Sequence, residues 1–165
     1  MYREIPPELK DALKAFEIGA LDKIIERKRR EDFAALRRLL SLDTAVDPGD
    51  RQRAVYALGR WGDPDVVPEI LALLPELKES QAITAIEALG RLGTKAAREV
   101  VASYAGHPSP QIRKFVVQAL TRIGDAAARA TLRKIAKEDR QAWVRELASK
   151  RIKMISAKTV AKKVS

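Results

Sequence analysis

Apolar residues recur along the chain at the three- and four-residue spacing of amphipathic helices, and the predicted helices come in pairs. In the first clear pair the apolar positions run through 54–61, stop at the letters GDPD, and resume through 66–74. Gly62 suits the left-handed conformation that ends a helix, while Asp63 and Pro64 suit the cap and first position of the next one. The pattern therefore predicts a helical hairpin with a tight turn.

The hairpin recurs at a fixed interval of 31 residues. The stretch ALGRWGD at 57–63 returns as ALGRLGT at 88–94 and as ALTRIGD at 119–125. A period of this length is typical of proteins built from stacked supersecondary repeats. The equivalent positions are Leu58, Leu89 and Leu120; Arg60, Arg91 and Arg122; Trp61, Leu92 and Ile123; and Gly62, Gly93 and Gly124. We expect the leucines and Trp61 to lie in the core, and the arginines to complement the helix dipoles.

Both flanks contain degenerate copies of this unit. At the N-terminus we expect a capping helix from Pro6 and a weaker hairpin over 20–42, with the charged run ERKRRED at 26–32 on a solvated helix face. At the C-terminus, 144–155 aligns with 112–123 at a spacing of 32 residues. Ser156 then takes the place of the turn glycine, and a closing helix is expected with Val160 and Val164 on it.

The stretches DPGDRQRAVYALGRWGD and SPQIRKFVVQALTRIGD resemble the HEAT-like repeat of phycobilisome-lyase proteins and their bacterial and archaeal relatives. The resemblance covers 47–156 closely and 20–46 loosely. It implies an all-α fold, a right-handed α-solenoid of about four to five helical hairpins. We expect a single domain over 1–165, with capping helices and a degenerate repeat in 1–46, three clear repeats in 47–136, and a degenerate repeat with a basic tail in 137–165.

An arginine recurs near the start of the first helix in the repeats that contain Arg51, Arg113 and Arg145. We expect these arginines to tie one unit to the next by hydrogen bonds to carboxylates or carbonyls. The second repeat departs from the pattern, with Ala82 in the arginine position.

Composition excludes several classes of site. The chain has no cysteine and one histidine, His107, so it offers neither a thiolate metal site nor a histidine cluster. It contains no phosphate-binding glycine-rich loop and no serine, histidine and carboxylate set typical of a nucleophile. No membrane span or signal peptide is predicted. We therefore expect a cytoplasmic, non-enzymatic protein without cofactor or metal, either a monomer or a weak oligomer.

Charge is concentrated at the C-terminal end. The net charge is +10, and residues 101–165 alone carry 15 Lys and Arg against 4 Asp and Glu, a net charge of +11. On the second helix of the third repeat, Arg129, Arg133 and Lys137 are spaced by four residues and lie on one helix face. Arg98 precedes Arg129 by one repeat and is expected beside it. We assign Arg98, Arg129, Arg133, Lys137, Arg140 and Trp143 to a partner-binding surface, Trp143 as an exposed anchor. The tail adds Lys150, Arg151, Lys153, Lys158, Lys162 and Lys163.

These features favour a protein–protein interaction scaffold, or adaptor, whose curved helical surface and basic C-terminal half bind an acidic protein. Two alternatives stay open. One is nucleic-acid binding through the basic concave face. The other, implied by the resemblance, is a subunit of a lyase or chaperone-type enzyme complex.

Overall fold

The computed structural model describes residues 5–15, 18–41 and 45–164, with side chains as far as Ala157. This part of the chain consists of helices and their connections and contains no strand. The α-helices are α1 (Pro7–Lys14), α2 (Ile18–Arg27), α3 (Arg30–Arg38), α4 (Pro48–Trp61), α5 (Val67–Leu73), α6 (Glu79–Leu92), α7 (Lys95–Ser103), α8 (Pro110–Ile123), α9 (Ala126–Glu138) and α10 (Ala142–Val164). Short 3₁₀ turns cover Pro64–Val66, Leu74–Glu76 and Tyr104–Gly106.

The chain divides into two compact units, Met1–Ala88 and Leu89–Ser165. In the first unit, α1 packs against α2 and α4, and α4 also contacts α2 and α3. In the second unit, α7 packs against α8 and α9, α8 packs against α9, and α10 lies against both α8 and α9. Helices that follow one another in sequence thus pack as pairs, as in a HEAT-repeat solenoid. The prediction of an all-α fold of this class is confirmed.

The turns inside the hairpins form as the glycine spacing predicts. Gly62, Gly93 and Gly124 have φ values of 82°, 65° and 66°, the left-handed region that side chains with a Cβ disfavour. The amides of these glycines bond back to the carbonyls of Leu58, Leu89 and Leu120. Each first helix therefore ends where its glycine stands.

Two other glycines allow first helices to approach closely within each unit. A Cβ on Gly59 would lie 2.7 Å from the Cα of Ala88, and a Cβ on Gly90 would lie 2.7 Å from the Cα of Ala119. Real Cβ atoms are not found at such distances. The pairs Gly59–Ala88 and Gly90–Ala119, 31 residues apart, therefore set the same close spacing in both units.

The core is apolar, and its residues recur at the 31-residue interval of the repeat. Leu58, Leu89 and Leu120 are 0% exposed, as predicted. The prediction that Trp61 lies in the core is wrong, because Trp61 is half-buried. Its ring packs beside that of Phe33, with centroids 5.4 Å apart, and the ammonium of Lys28 lies 5.1 Å above it. Its equivalents are half-buried too, so this position belongs to the edge of the core.

Two predicted boundaries differ from the structure. The run at 26–32 is not one helix face, since α2 ends at Arg27 and Lys28 has a φ of 52°. Asp32 in this run is fully buried and accepts a hydrogen bond from Nε of Arg29 at 3.0 Å. At the other end, no turn forms at Ser156, because α10 continues through it and the Ser156 hydroxyl donates to the carbonyl of Ile152. The side chains of Val160 and Val164 lie outside the described part.

The recurring arginines bind the connections between hairpins, as predicted. Arg51 donates to the carbonyl of Val46, Arg113 to those of His107 and Pro108, and Arg145 to that of Asp139. Each acceptor lies five or six residues before its arginine, in the loop that leads into the arginine's own helix. These bonds fix how the chain enters a first helix.

Candidate interaction surface on the C-terminal repeats

Helix α9 carries most of the candidate surface, and its orientation follows from its cap and its apolar face. Asp125 caps the helix by accepting a hydrogen bond from the amide of Ala128 at 2.8 Å. Ala128, Leu132 and Ile135 are buried against the neighbouring helices. Because these three share one face, the opposite face of α9 is exposed to solvent.

Four cations of α9, Arg129, Arg133, Lys134 and Lys137, have no acidic partner in the part of the chain that the structure describes, and all but Lys134 are spaced by four residues. Arg133 and Lys137 are exposed, and Arg129 is half-buried. The guanidinium of Arg129 makes one hydrogen bond, from Nε to the backbone carbonyl of Asp125 at 3.4 Å. Exposed cations without local neutralisation attract negative charge over the range of the Debye length. We call Arg129, Arg133 and Lys137 the α9 stripe.

Arg98 lies near the stripe but is neutralised. Its guanidinium forms an ion pair with Asp125, and its side chain is only 18% exposed. The pKa of Asp125 is held below its usual value, mainly by the hydrogen bond from the Ala128 amide, with Arg98 adding to it against the opposing effect of burial. Arg98 thus connects α7 to the start of α9, a role that the sequence did not predict.

Arg140 lies apart from the α9 stripe. The Nη2 group of Arg140 donates to the carbonyls of Gly106 and His107, at 3.4 and 3.2 Å. With Lys134 it lines a cavity of about 530 Å³ between the end of α7 and α9. The other lining residues are Ala102, Ser103, Ala105, Gly106, Arg113, Thr131, Ile135, Glu138 and Asp139. Because its residues are spaced by four along α9, the α9 stripe lies on a side of the helix that does not line this cavity.

Trp143 is exposed, as expected, but on another face. It stands in the first turn of α10 and is 41% exposed. It lines an open pocket of about 440 Å³ between α8 and α10. The other lining residues are Gln111, Lys114, Glu146, Leu147 and Lys150. Lys114 was not assigned to any surface from the sequence; it aligns with Glu146 at the 32-residue spacing, and both residues line this pocket.

The six assigned residues therefore occupy four places in the second unit. Arg129, Arg133 and Lys137 share the exposed flank of α9, Arg98 pairs with Asp125, and Arg140 and Trp143 line separate pockets. Lys158, Lys162 and Lys163 lie beyond the side chains that the structure describes.

The described residues offer no metal site and no membrane span. Within 5–15, 18–41 and 45–164, no three His, Cys, Asp or Glu side chains lie close enough together to hold an ion. Of the helices in these ranges, none combines the length and the apolarity needed to cross a bilayer.

Stacked helical hairpins joined by glycine turns and anchored by buried arginines define a HEAT-like repeat protein. A family model of HEAT repeats matches residues 78–152, and a model of the PBS lyase HEAT-like repeat matches residues 50–74. The chain is thus a HEAT-like repeat protein. No curated protein matches its sequence. HEAT repeats generally act as scaffolds for protein–protein interaction and are generally non-catalytic, although one of the matching repeats takes its name from a lyase.

Proposed function

We propose that this protein is a non-catalytic scaffold whose second unit binds an acidic partner protein through the α9 stripe. The observation that carries the proposal is the absence of any ion pair to Arg129, Arg133 or Lys137 among the described residues, although Arg98 one repeat earlier has one. A helix held rigidly by its neighbours loses little conformational entropy when it binds.

The charge of the whole unit supports this proposal. Residues 89–165 carry 18 Lys and Arg against 5 Asp and Glu, a net charge of +13, whereas residues 1–88 carry 14 against 17. A field of one sign accelerates the encounter with a partner of opposite sign. The stripe would then determine where on the unit that partner binds.

The test is a double charge reversal, Arg133→Glu with Lys137→Glu, and a titration of the full chain with a short poly-glutamate peptide. We expect binding to weaken by about tenfold or more, because like charges then face each other. The control is Lys95→Glu with Lys134→Glu, which changes the net charge equally. Lys95 lies in the first turn of α7 and Lys134 on the cavity side of α9, and both are exposed.

The control decides between a site and a general charge effect. Equal losses in the two double variants would contradict a site on the stripe. A parallel titration with duplex DNA in rising salt covers the other partner class. If the affinity for DNA falls with salt at a slope of several released counterions, and DNA binding disappears in the Arg133/Lys137 variant, the partner class is nucleic acid and not an acidic protein.

A further inference from the structure

The second helix α9 begins at a carboxylate that the preceding second helix, α7, holds. Asp125 caps α9, and its other carboxylate oxygen pairs with Arg98 of α7. The side chain of Asp125 thus satisfies the first turn of its own helix and joins that helix to its neighbour. The contact is one way in which a second helix joins the next; α7 itself is capped by the hydroxyl of Thr94.

Arg129 is the next copy of Arg98, 31 residues further on. It faces away from α7, because the residues of α9 that line the cavity shared with α7 lie on another side of the helix; they are Thr131, Lys134, Ile135 and Glu138. Thr131 lies two positions after Arg129, which is about 160° around a helix of 3.6 residues per turn. Arg129 therefore points to the side where a further second helix would pack.

No second helix of a fourth repeat follows in the described residues, since α10 runs unbroken from Ala142 to Val164. The exposure of one apolar position reflects this. Leu120 is 0% exposed, but Ile152, its equivalent at the 32-residue spacing, is half-buried. Among the residues that the structure describes, no further second helix covers the side of α9 that carries Arg129.

On α10, the Nη1 group of Arg151 contacts the sulfur of Met154 at 3.7 Å, but another atom of the same guanidinium lacks a partner in the described part of the chain. Arg151 follows Val144 and Ala148 at helical spacing on the inward face of α10, where those two residues are fully buried. Its Nε is buried and has no acceptor among the described residues. A buried donor without an acceptor costs free energy that an incoming acceptor would recover.

We propose that this open flank binds an α-helix of the partner that begins with Asp or Glu. The flank consists of Arg129, Arg133 and Ala136 of α9 with Ile152 of α10. The acidic first residue pairs with Arg129 as Asp125 pairs with Arg98, and apolar residues of the incoming helix cover Ile152. The inference rests on the proposed function and specifies its partner: a helix with an acidic start, not any acidic chain.

The chain itself supplies a probe, the synthetic peptide of residues 62–77. In this segment Asp63 caps the 3₁₀ turn that leads into α5, and the segment carries Asp63, Asp65, Glu69 and Glu76 without any cation. The full ¹⁵N-labelled chain is titrated with it by NMR. We expect shifts of the Arg129 Nε–H signal and of the Ile152 amide. A peptide with Asp63→Asn and Asp65→Asn is expected to bind about tenfold more weakly.

Variants of the chain complete the test. Arg129→Gln is expected to lose the preference for the acidic peptide, while Arg122→Gln, an exposed arginine in the last turn of α8, keeps it. If the two peptides bind alike, or if the shifts fall outside α9 and α10, the inference is overturned. Poly-glutamate binding that still depends on Arg133 and Lys137 would then leave the proposed function standing. If neither the preference for the acidic 62–77 peptide nor the dependence of poly-glutamate binding on Arg133 and Lys137 is found, both proposals are overturned.

Discussion

Arg113 donates two hydrogen bonds to Asp139, from Nε to Oδ2 at 2.7 Å and from Nη2 to Oδ1 at 2.9 Å, and each side chain is 2% exposed. The Nη1 group of Arg113 also donates to the carbonyls of His107 and Pro108, at 2.8 and 3.0 Å. One guanidinium therefore joins the loop before α8 to the loop before α10. The pair is the buried polar centre of the second unit.

Loss of this pair should be costly. Arg113→Met leaves Asp139 buried without its counter-ion, and breaking a buried ion pair in this way destabilises a protein by about 3–5 kcal/mol. Urea unfolding followed by circular dichroism measures the change. Arg122→Gln, at an exposed position, should stay within about 0.5 kcal/mol of the parent. A similar small change for Arg113→Met would mean that the buried pair contributes little to stability.

The pH dependence of stability should follow the same carboxylate. Burial alone would raise the pKa of Asp139, but hydrogen bonds from Arg113 and from the Gln141 amide outweigh it, and the pKa is lowered. A lowered folded pKa means that the unfolded chain binds more protons. The stabilisation is therefore complete above the unfolded pKa of about 3.9 and is lost as pH falls through the folded value.

We accordingly expect the free energy of unfolding to decrease as the pH falls below about 4, where an unfolded aspartate takes up a proton. Measurements over a pH series, repeated with Asp139→Asn, isolate this carboxylate. The asparagine variant should show a shallower decrease, because it has no proton to bind at this position. An identical slope in both proteins would assign the acid sensitivity to other groups.

The close helix contact predicts a contrast between two glycine substitutions. Gly90→Ala places a methyl group 2.7 Å from the Cα of Ala119, so backbone must move, and overpacking of this kind costs about 1–3 kcal/mol. Gly19→Ala, in α2, meets nothing within 4 Å and should be neutral or stabilising by up to about 1 kcal/mol. Thermal unfolding of the two variants tests the contrast. Equal midpoints would argue against the close approach of α6 and α8.

The open flank predicts a difference between two equivalent apolar positions. Leu120→Ala removes a fully buried side chain and should cost about 2–5 kcal/mol. Ile152→Ala removes a half-buried one with little cavity left behind, and should cost about 1 kcal/mol or less. Urea unfolding gives both values. A large loss at Ile152 would show that this side chain is covered after all.

The sequence predicts best what is local and periodic. The left-handed turns at Gly62, Gly93 and Gly124 follow from a glycine at the same position in each of these hairpins. The burial of the recurring leucines follows from their helical spacing. The sequence also predicted that the recurring arginines form hydrogen bonds to carboxylates or carbonyls. The carbonyls of Val46, His107, Pro108 and Asp139 that accept from them lie five or six residues earlier in the chain, so local geometry settles these bonds, whereas the pairing of Arg113 with the Asp139 carboxylate spans 26 residues.

Contacts between distant residues were less predictable. The pairing of Arg98 with Asp125 spans 27 residues and depends on how α7 lies against α9, which spacing alone does not give. Trp61 was misplaced because helical spacing identifies the inward face of α4 but not where along that face the cover ends. Ser156 was misplaced because serine, unlike glycine, continues a helix when its neighbours favour one.

The matched contacts of Gly59 with Ala88 and of Gly90 with Ala119 bear on how a chain of this kind changes length. Helix α6 takes part in both contacts: its Ala88 lies against Gly59 of α4, and its Gly90 lies against Ala119 of α8. A second copy of residues 62–92 inserted after Leu92 would bring Gly90 of the first copy to Ala88 of the second, a pairing of the same residue types. The gene can therefore grow by duplication of a 31-residue segment without evolving a new interface. The contact is not repeated beyond α8, where Thr121 stands in the place of the next glycine and α10 packs against α8 without it.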